Sequence, residues 1–310
     1  MIFCVVLGHC LELINGNISK LLYIFIYTFH MPIFVFISGY FAKFDLKKII
    51  KFTGIYLIWQ TIYCLFDKFI LNISTNIQYV TPNWVLWYVM AIAIWNLLIK
   101  VFDTNSKKKA IFIIIFAFMI SIIVGFVDSI GYWLSLSRII VFLPYFLLGY
   151  YTKKFGFNFL DMKDKNNKLN KMKITMIIIL LSVTLIYLGG IRDIIEARWL
   201  YGSYSYNKAN YNYIVRIVLI ILSLSELIIF YNVTPNKNMN MISKIGANTL
   251  TIYLLHGLVI KIFKIRKSIF VYEEHVNIII AIATSIIMLI FLGICVPKVL
   301  SEIKKKKLEL

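Results

Sequence analysis

The sequence predicts an all-α, polytopic integral-membrane bundle of about ten transmembrane helices, and three observations carry that expectation. Of its 310 residues, 61% are hydrophobic and only 15% charged, with a mean hydropathy of +0.83. A soluble globular chain carries roughly 25% charged and 45–50% apolar residues, so this apolar excess needs a solvent other than water. The apolar residues also come in windows of about twenty, the length that crosses about 30 Å of hydrocarbon at about 1.5 Å per residue. Finally, 33 Lys and Arg against 14 Asp and Glu leave a net charge of +19, and most of those cations lie between the windows. In a water-soluble chain such a charge would point to nucleic acid. Between membrane spans it reads as the cation bias of cytoplasmic loops, so nucleic acid is not an expected partner.

The first apolar run, 1–14, is too short to span, and a truncated first helix is expected there. It has no basic segment ahead of it and no small-residue cleavage site behind it, so it does not read as a signal peptide. Windows then follow at 21–42, 52–72, 84–102, 110–128, 133–152, 173–190, 212–232, 247–265 and 277–300, with a very short turn at Asp128–Tyr132 between the fifth and sixth crossings. Taken as alternate loops, 43–51, 100–109, 153–173, 233–245 and 298–310 hold 22 of the 33 cations. That side is therefore expected in the cytoplasm, with both termini, in a multi-pass protein of the cell membrane. Lys261, Lys264, Arg266 and Lys267 fall on the opposite side: either the last two crossings are misassigned or these cations have a local role. The whole chain, 1–310, reads as a single transmembrane domain with a polar, mobile loop at 153–173 and a basic tail at 301–310. The loop Arg192–Asn212, rich in Tyr, Ser and Asn, suits either a carbohydrate-facing lid or an interfacial aromatic belt. Cys4, Cys10, Cys64 and Cys295 sit in apolar runs without metal-ligand spacing, and no metal site is expected.

Ionisable side chains inside spans cost at least about 2.5–3.5 kcal/mol on insertion scales, which makes each a candidate functional group. They include His9 and Glu12, His30, Arg138, Arg216, Glu226 and His256. His9 and Glu12 are three apart and share a helix face, where a carboxylate can hold the imidazole in one tautomer and make it a general base. The alternative is that Glu12 marks the water boundary and His9 bonds a neighbouring helix. Arg216 and Glu226 are ten residues apart, about 15 Å along a helix, too far to pair with each other. His256 favours a satisfied structural histidine, and Arg138 sits where its side chain can snorkel to the interface.

The phrases VVLGH at 5–9, FHMPIFVFISGYF at 29–41, WVLWYVMAI at 84–92, RIIVFLPYFLLGYYTKK at 138–154 and IGANTLTIYLLHG at 245–257 resemble the membrane acyltransferase-3 family, and within it the fucose 4-O-acetylase-like branch. The resemblance implies an integral-membrane O-acetyltransferase that takes acetyl from acetyl-CoA and places it on a carbohydrate hydroxyl. By position it implies that His9 is catalytic, that His30, Pro32, Ser38 and Gly39 belong to a second motif, and that Arg138, Pro144 and Gly149 belong to a third. Two departures stand out. The basic residue that the family commonly carries eleven positions before the histidine would precede Met1, and its Arg-x-x-Arg element is replaced by Lys48 and Lys51, point charges in place of bidentate forks.

The resulting expectations are a catalytic set of His9, His30 and Glu12, a cofactor-binding set of Lys48, Lys51 and Arg138, and an acceptor-binding set of Ser38, Asn83 and Trp87. Acetyl-CoA is the acyl donor. The bilayer and a carbohydrate are partners, together with a second copy of the chain or polysaccharide-biosynthesis proteins. The rival readings are a glycan or lipid-precursor transporter and an inactive acyltransferase-like scaffold.

Overall fold

A computed structural model describes residues 1–73, 76–157, 196–234, 240–266 and 269–299. The expected crossing at 173–190, most of the loop 153–173, Arg192, Asp193 and the tail 301–310 lie outside them. Among the described residues there is no strand. The helices are α1 (Ile2–Leu11), α2 (Asn17–Tyr40), α3 (Leu46–Phe69), α4 (Trp87–Phe102), α5 (Lys107–Ile123), α6 (Leu136–Phe155), α7 (Tyr206–Ala209), α8 (Tyr213–Val233), α9 (Asn240–Ala247), α10 (Thr249–Arg266) and α11 (Glu274–Ile290). Seven are long and apolar enough, with their flanking turns, to cross a membrane; α9 and α10 meet that measure only as a pair bent by 72°, and α1 is a short apolar helix. The expected window at 247–265 coincides with α10, to which α9 adds a shorter arm at an angle.

The cause of the bend is local. Asn248 interrupts the helix, and its side-chain amide donates to the carbonyls of Lys244 (3.1 Å) and Gly293 (2.9 Å). Asn competes for backbone groups and so favours such breaks over helix interiors. Gly293 lies in a π turn, Phe291–Cys295, that continues α11, and the wider turn leaves a carbonyl available for the Asn248 amide.

The chain forms two compact units. One comprises Met1–Tyr23, Thr61–Ile77 and Asn236–Leu310; the other comprises Ile24–Gln60 and Gln78–Pro235. In the first, α1 packs on α10 and α11. Ser285 donates to the sulfur of buried Cys10, while Ile279 and Ile287 of α11 remain 65% exposed. Large apolar side chains left bare on a hydrophobic helix are the face that hydrocarbon covers.

The second unit is built around α6, which packs against α4 and α5. Trp95, with no exposed surface, donates to the carbonyl of Ile139 at 3.0 Å. Tyr145, Phe146 and Leu147 fill the interior beside it. The close approach of α2 and α6 depends on two glycines: a Cβ on Gly39 would overlap the carbonyl of Phe146, and one on Gly149 would overlap the carbonyl of Phe36. Without a strong apolar drive between helices in lipid, such small-residue seams let backbones meet. Gly149→Ala therefore forces α2 and α6 apart and costs about 1–3 kcal/mol, read as a lower midpoint of thermal unfolding in detergent. An unchanged midpoint would refute the seam.

Between α4 and α5, Asp103 accepts from Lys154 (2.5 Å) and Tyr150 (2.7 Å) of α6. Lys154 first, then Tyr150, hold its carboxyl below the ordinary value of 3.8. A depressed folded value means that this clasp stabilises above the ordinary aspartate range and is lost as pH falls through the folded value. Asp103→Asn is expected to remove that contribution, so its midpoint changes less than the wild type's between pH about 5 and about 2.5. Parallel curves for the two proteins would count against it.

Candidate active site

In the first unit the last turn of α1 presents His9 and Glu12 together, as their three-residue spacing predicts. His9 Nδ1 is 3.5 Å from Glu12 Oε2, with side-chain exposures of 12% and 34%. The carboxylate fixes that nitrogen as the protonated one and leaves Nε2 as the basic atom. Lys264 of α10 adds its charge to the surroundings of Glu12. The imidazole of His256, also on α10, stacks on His9 with ring centroids 5.6 Å apart and planes 28° apart.

His256 does not fit the satisfied structural residue expected of it. Its Nδ1 lies 3.1 Å from the carbonyl of Ile252, but Nε2 is buried without a partner. Sequence reasoning also missed Asp67 of α3. Its carboxylate takes both oxygens to Lys261 Nζ, at 2.6 and 2.7 Å, with the ammonium 5.2 Å from the ring of Tyr63. Tyr63 in turn donates to the carbonyl of Leu254 at 3.0 Å. The cations that resisted the loop assignment thus have local work in Lys261 and Lys264. A carboxylate at 67 and an ammonium at 261, each inside an apolar window, were the available signal.

His30, Ser38, Asn83, Trp87 and Arg138 all belong to the second unit. His30 is buried, with Nδ1 2.8 Å from the carbonyl of Ile26 and its ring edge-on to Tyr27 at 4.5 Å. Ser38 bonds the carbonyl of Phe34 and the hydroxyl of Tyr88. The backbone N–H of Asn83 donates to Gln60 Oε1 at 2.8 Å, while Gln60 Nε2 donates to the carbonyls of Gln78 and Thr81. Gln60, which the sequence did not flag, is the clasp of the 78–83 segment. Trp87 stacks on Phe142, and the Arg138 guanidinium lies 5.2 Å from the Trp87 ring.

Two arginines hold the 197–212 segment in place. Arg138 donates to the carbonyl of Tyr201 (3.2 Å) and to the Ser203 hydroxyl (3.4 Å). Buried Arg216 donates to the carbonyls of Ser121 (3.1 Å) and Tyr204 (3.2 Å) and to the Tyr211 hydroxyl. Burial pushes the Tyr206 phenol up to about 12 although Arg216 opposes it, so the ring beneath the guanidinium stays neutral. Glu226 finds its partner on α2: the Thr28 hydroxyl lies 3.1 and 3.0 Å from its two oxygens. Arg216 and Glu226 thus each have partners on other elements, as their separation required. Tyr27, Thr28, Tyr145, Trp199, Arg216 and Ser223, together with apolar side chains such as Val141, Phe142 and Leu219, line a cavity beside this segment, to which Trp199 and Leu200 of the loop contribute. Lys48 stands in the first turn of α3 and Lys51 in the second, half-buried and exposed respectively.

Apolar helices of membrane-crossing length, with ionisable groups packed inside them, define an integral-membrane protein. Residues 1–297 match the acyltransferase-3 family, described as an acyltransferase domain, and the chain belongs to that family. It is a membrane acyltransferase. No curated protein and no solved structure matches the chain.

Proposed function

We propose that this membrane acyltransferase is an O-acetyltransferase of the fucose 4-O-acetylase-like branch, moving acetyl from acetyl-CoA to a hydroxyl of a surface polysaccharide or its precursor, with His9 as general base. The observation that carries this reading is the His9–Glu12 pair, an imidazole oriented by a carboxylate 3.5 Å away in a largely buried setting. His9 Nε2 takes the hydroxyl proton as the oxygen attacks the thioester carbonyl. Collapse of the tetrahedral adduct breaks the C–S bond, and the departing thiolate takes the proton back from His9.

With its Nδ1 facing the Ile26 carbonyl, which only accepts, neutral His30 carries its proton on that nitrogen, which favours a proton-relay role over that of an oxyanion donor. Lys48 and Lys51, with Lys47 beside them, supply positive charge for the phosphates of coenzyme A. The contacts of Arg138 with Tyr201, Ser203 and Trp87 favour a place on the acceptor side over the phosphate role expected of it. The aromatic faces of Tyr27, Tyr145 and Trp199 in the cavity of the second unit support a carbohydrate acceptor, since such faces suit the apolar side of a sugar ring. The cation bias of the loops supports a cell-membrane protein with both termini in the cytoplasm.

Protein purified into liposomes and supplied with acetyl-labelled acetyl-CoA and a panel of glycans is expected to transfer label to carbohydrate. Counterflow of a labelled sugar with no acetylation would instead select a transporter.

A further inference from the structure

Among the described residues, His256 Nε2 is the one buried side-chain nitrogen or oxygen of the first unit without a hydrogen-bond partner. Its Nδ1 faces the Ile252 carbonyl at 3.1 Å. A carbonyl only accepts, so Nδ1 holds the proton and Nε2 presents a bare lone pair. With 0% of the residue exposed, bulk water does not supply the missing donor, and a buried acceptor left open in this way calls for an explanation.

The neighbouring ring is His9, with centroids 5.6 Å apart. On the reading of His9 as the base, uptake of the hydroxyl proton turns it from a ring with one N–H into an imidazolium with two. One N–H faces Glu12, and the other exists only once the proton is taken up, on a ring centred 5.6 Å from that of His256. We propose that His256 is a positioning residue of the acyl-transfer site, accepting a hydrogen bond from the imidazolium that His9 becomes. The lone pair of His256 is then matched in the reacting state and open in the resting state. Only an interaction stronger in the transition state than in the ground state speeds the chemical step. The bond is N–H···N and His256 takes no proton, so the proton still returns from His9 to the departing thiolate.

The test separates the lone pair of His256 from its shape. His256→Phe keeps a flat ring against His9 and removes the acceptor, whereas His256→Gln keeps an acceptor without the ring. A hydrogen bond to a charged group corresponds to about a tenfold to hundredfold change in rate. His256→Phe is therefore expected to lower kcat by about that factor with KM for acetyl-CoA within about twofold, and His256→Gln to recover most of the loss. Phe as active as wild type, or Gln as impaired as Phe at equal thermal stability, overturns the proposal. Where the variants fail to fold, the imidazole 15N shifts of the unaltered enzyme decide: a His256 Nε2 resonance that moves upfield as His9 is protonated supports it, and one that does not move overturns it. Full activity in His9→Ala would remove the base reading itself, whereas an inactive His9→Ala beside a normal His256→Phe would remove this inference alone.

Discussion

On the proposed reading of His9 as general base, acetyl transfer from labelled acetyl-CoA is expected to fall by about 10²–10⁴-fold when His9 is replaced by alanine, the factor a positioned general base contributes. The loss is expected in kcat more than in KM, because the imidazole acts on the moving proton and not on the coenzyme. Glu12→Gln is milder, about tenfold, since the amide keeps a hydrogen-bonding oxygen near Nδ1 but no longer stabilises the imidazolium. His9 lies in a short helix whose packing rests on Val5, Val6, Cys10 and Leu11, so the alanine variant should keep its thermal midpoint. Near-normal transfer in His9→Ala would sink the assignment, whereas activity lost together with the midpoint would only report misfolding.

Asp67→Ala is expected to be the most destabilising change in the first unit. Removing one partner of a buried ion pair costs about 3–5 kcal/mol, because the other charge stays buried without compensation. Here the stranded group would be Lys261, whose side chain is 16% exposed against 6% for Asp67, in a region where water cannot easily replace the carboxylate. The same reasoning predicts a recovery: Asp67→Leu combined with Lys261→Leu removes both charges and should regain most of the lost stability. Thermal unfolding in detergent of the wild type, the single variant and the double variant checks both halves. A double variant no more stable than Asp67→Ala would show that the pair does more than neutralise itself.

Helical periodicity made one side-chain pairing legible in advance. His9 and Glu12 are three apart, and that interval alone puts two side chains on one face. It also excluded an Arg216–Glu226 pair, and each residue has its partners on other elements. The glycines of the α2–α6 seam were flagged by their motifs, but that Gly39 meets the Phe146 carbonyl and Gly149 the Phe36 carbonyl is a property of two helices distant in sequence. Asp67 with Lys261 and His9 with His256 escaped for the same reason. Their partners are separated by 194 residues in one case and by 247, from position 9 to position 256, in the other, and no short-range pattern reports which helices lie side by side.

The sequence by itself determined the solvent and the elements. An apolar excess gathered in twenty-residue runs commits the chain to helices in lipid, because hydrocarbon forbids unsatisfied backbone, and the local interval of α1 set His9 against Glu12. Only the tertiary structure decided which polar groups meet. It bent the chain between α9 and α10 at Asn248, gave Lys261 a carboxylate, hung the Tyr-rich loop from Arg138 and Arg216, and placed His256 with an open lone pair beside His9. In a membrane the cost of burying each such group is set by its partner, and that partner comes from another helix.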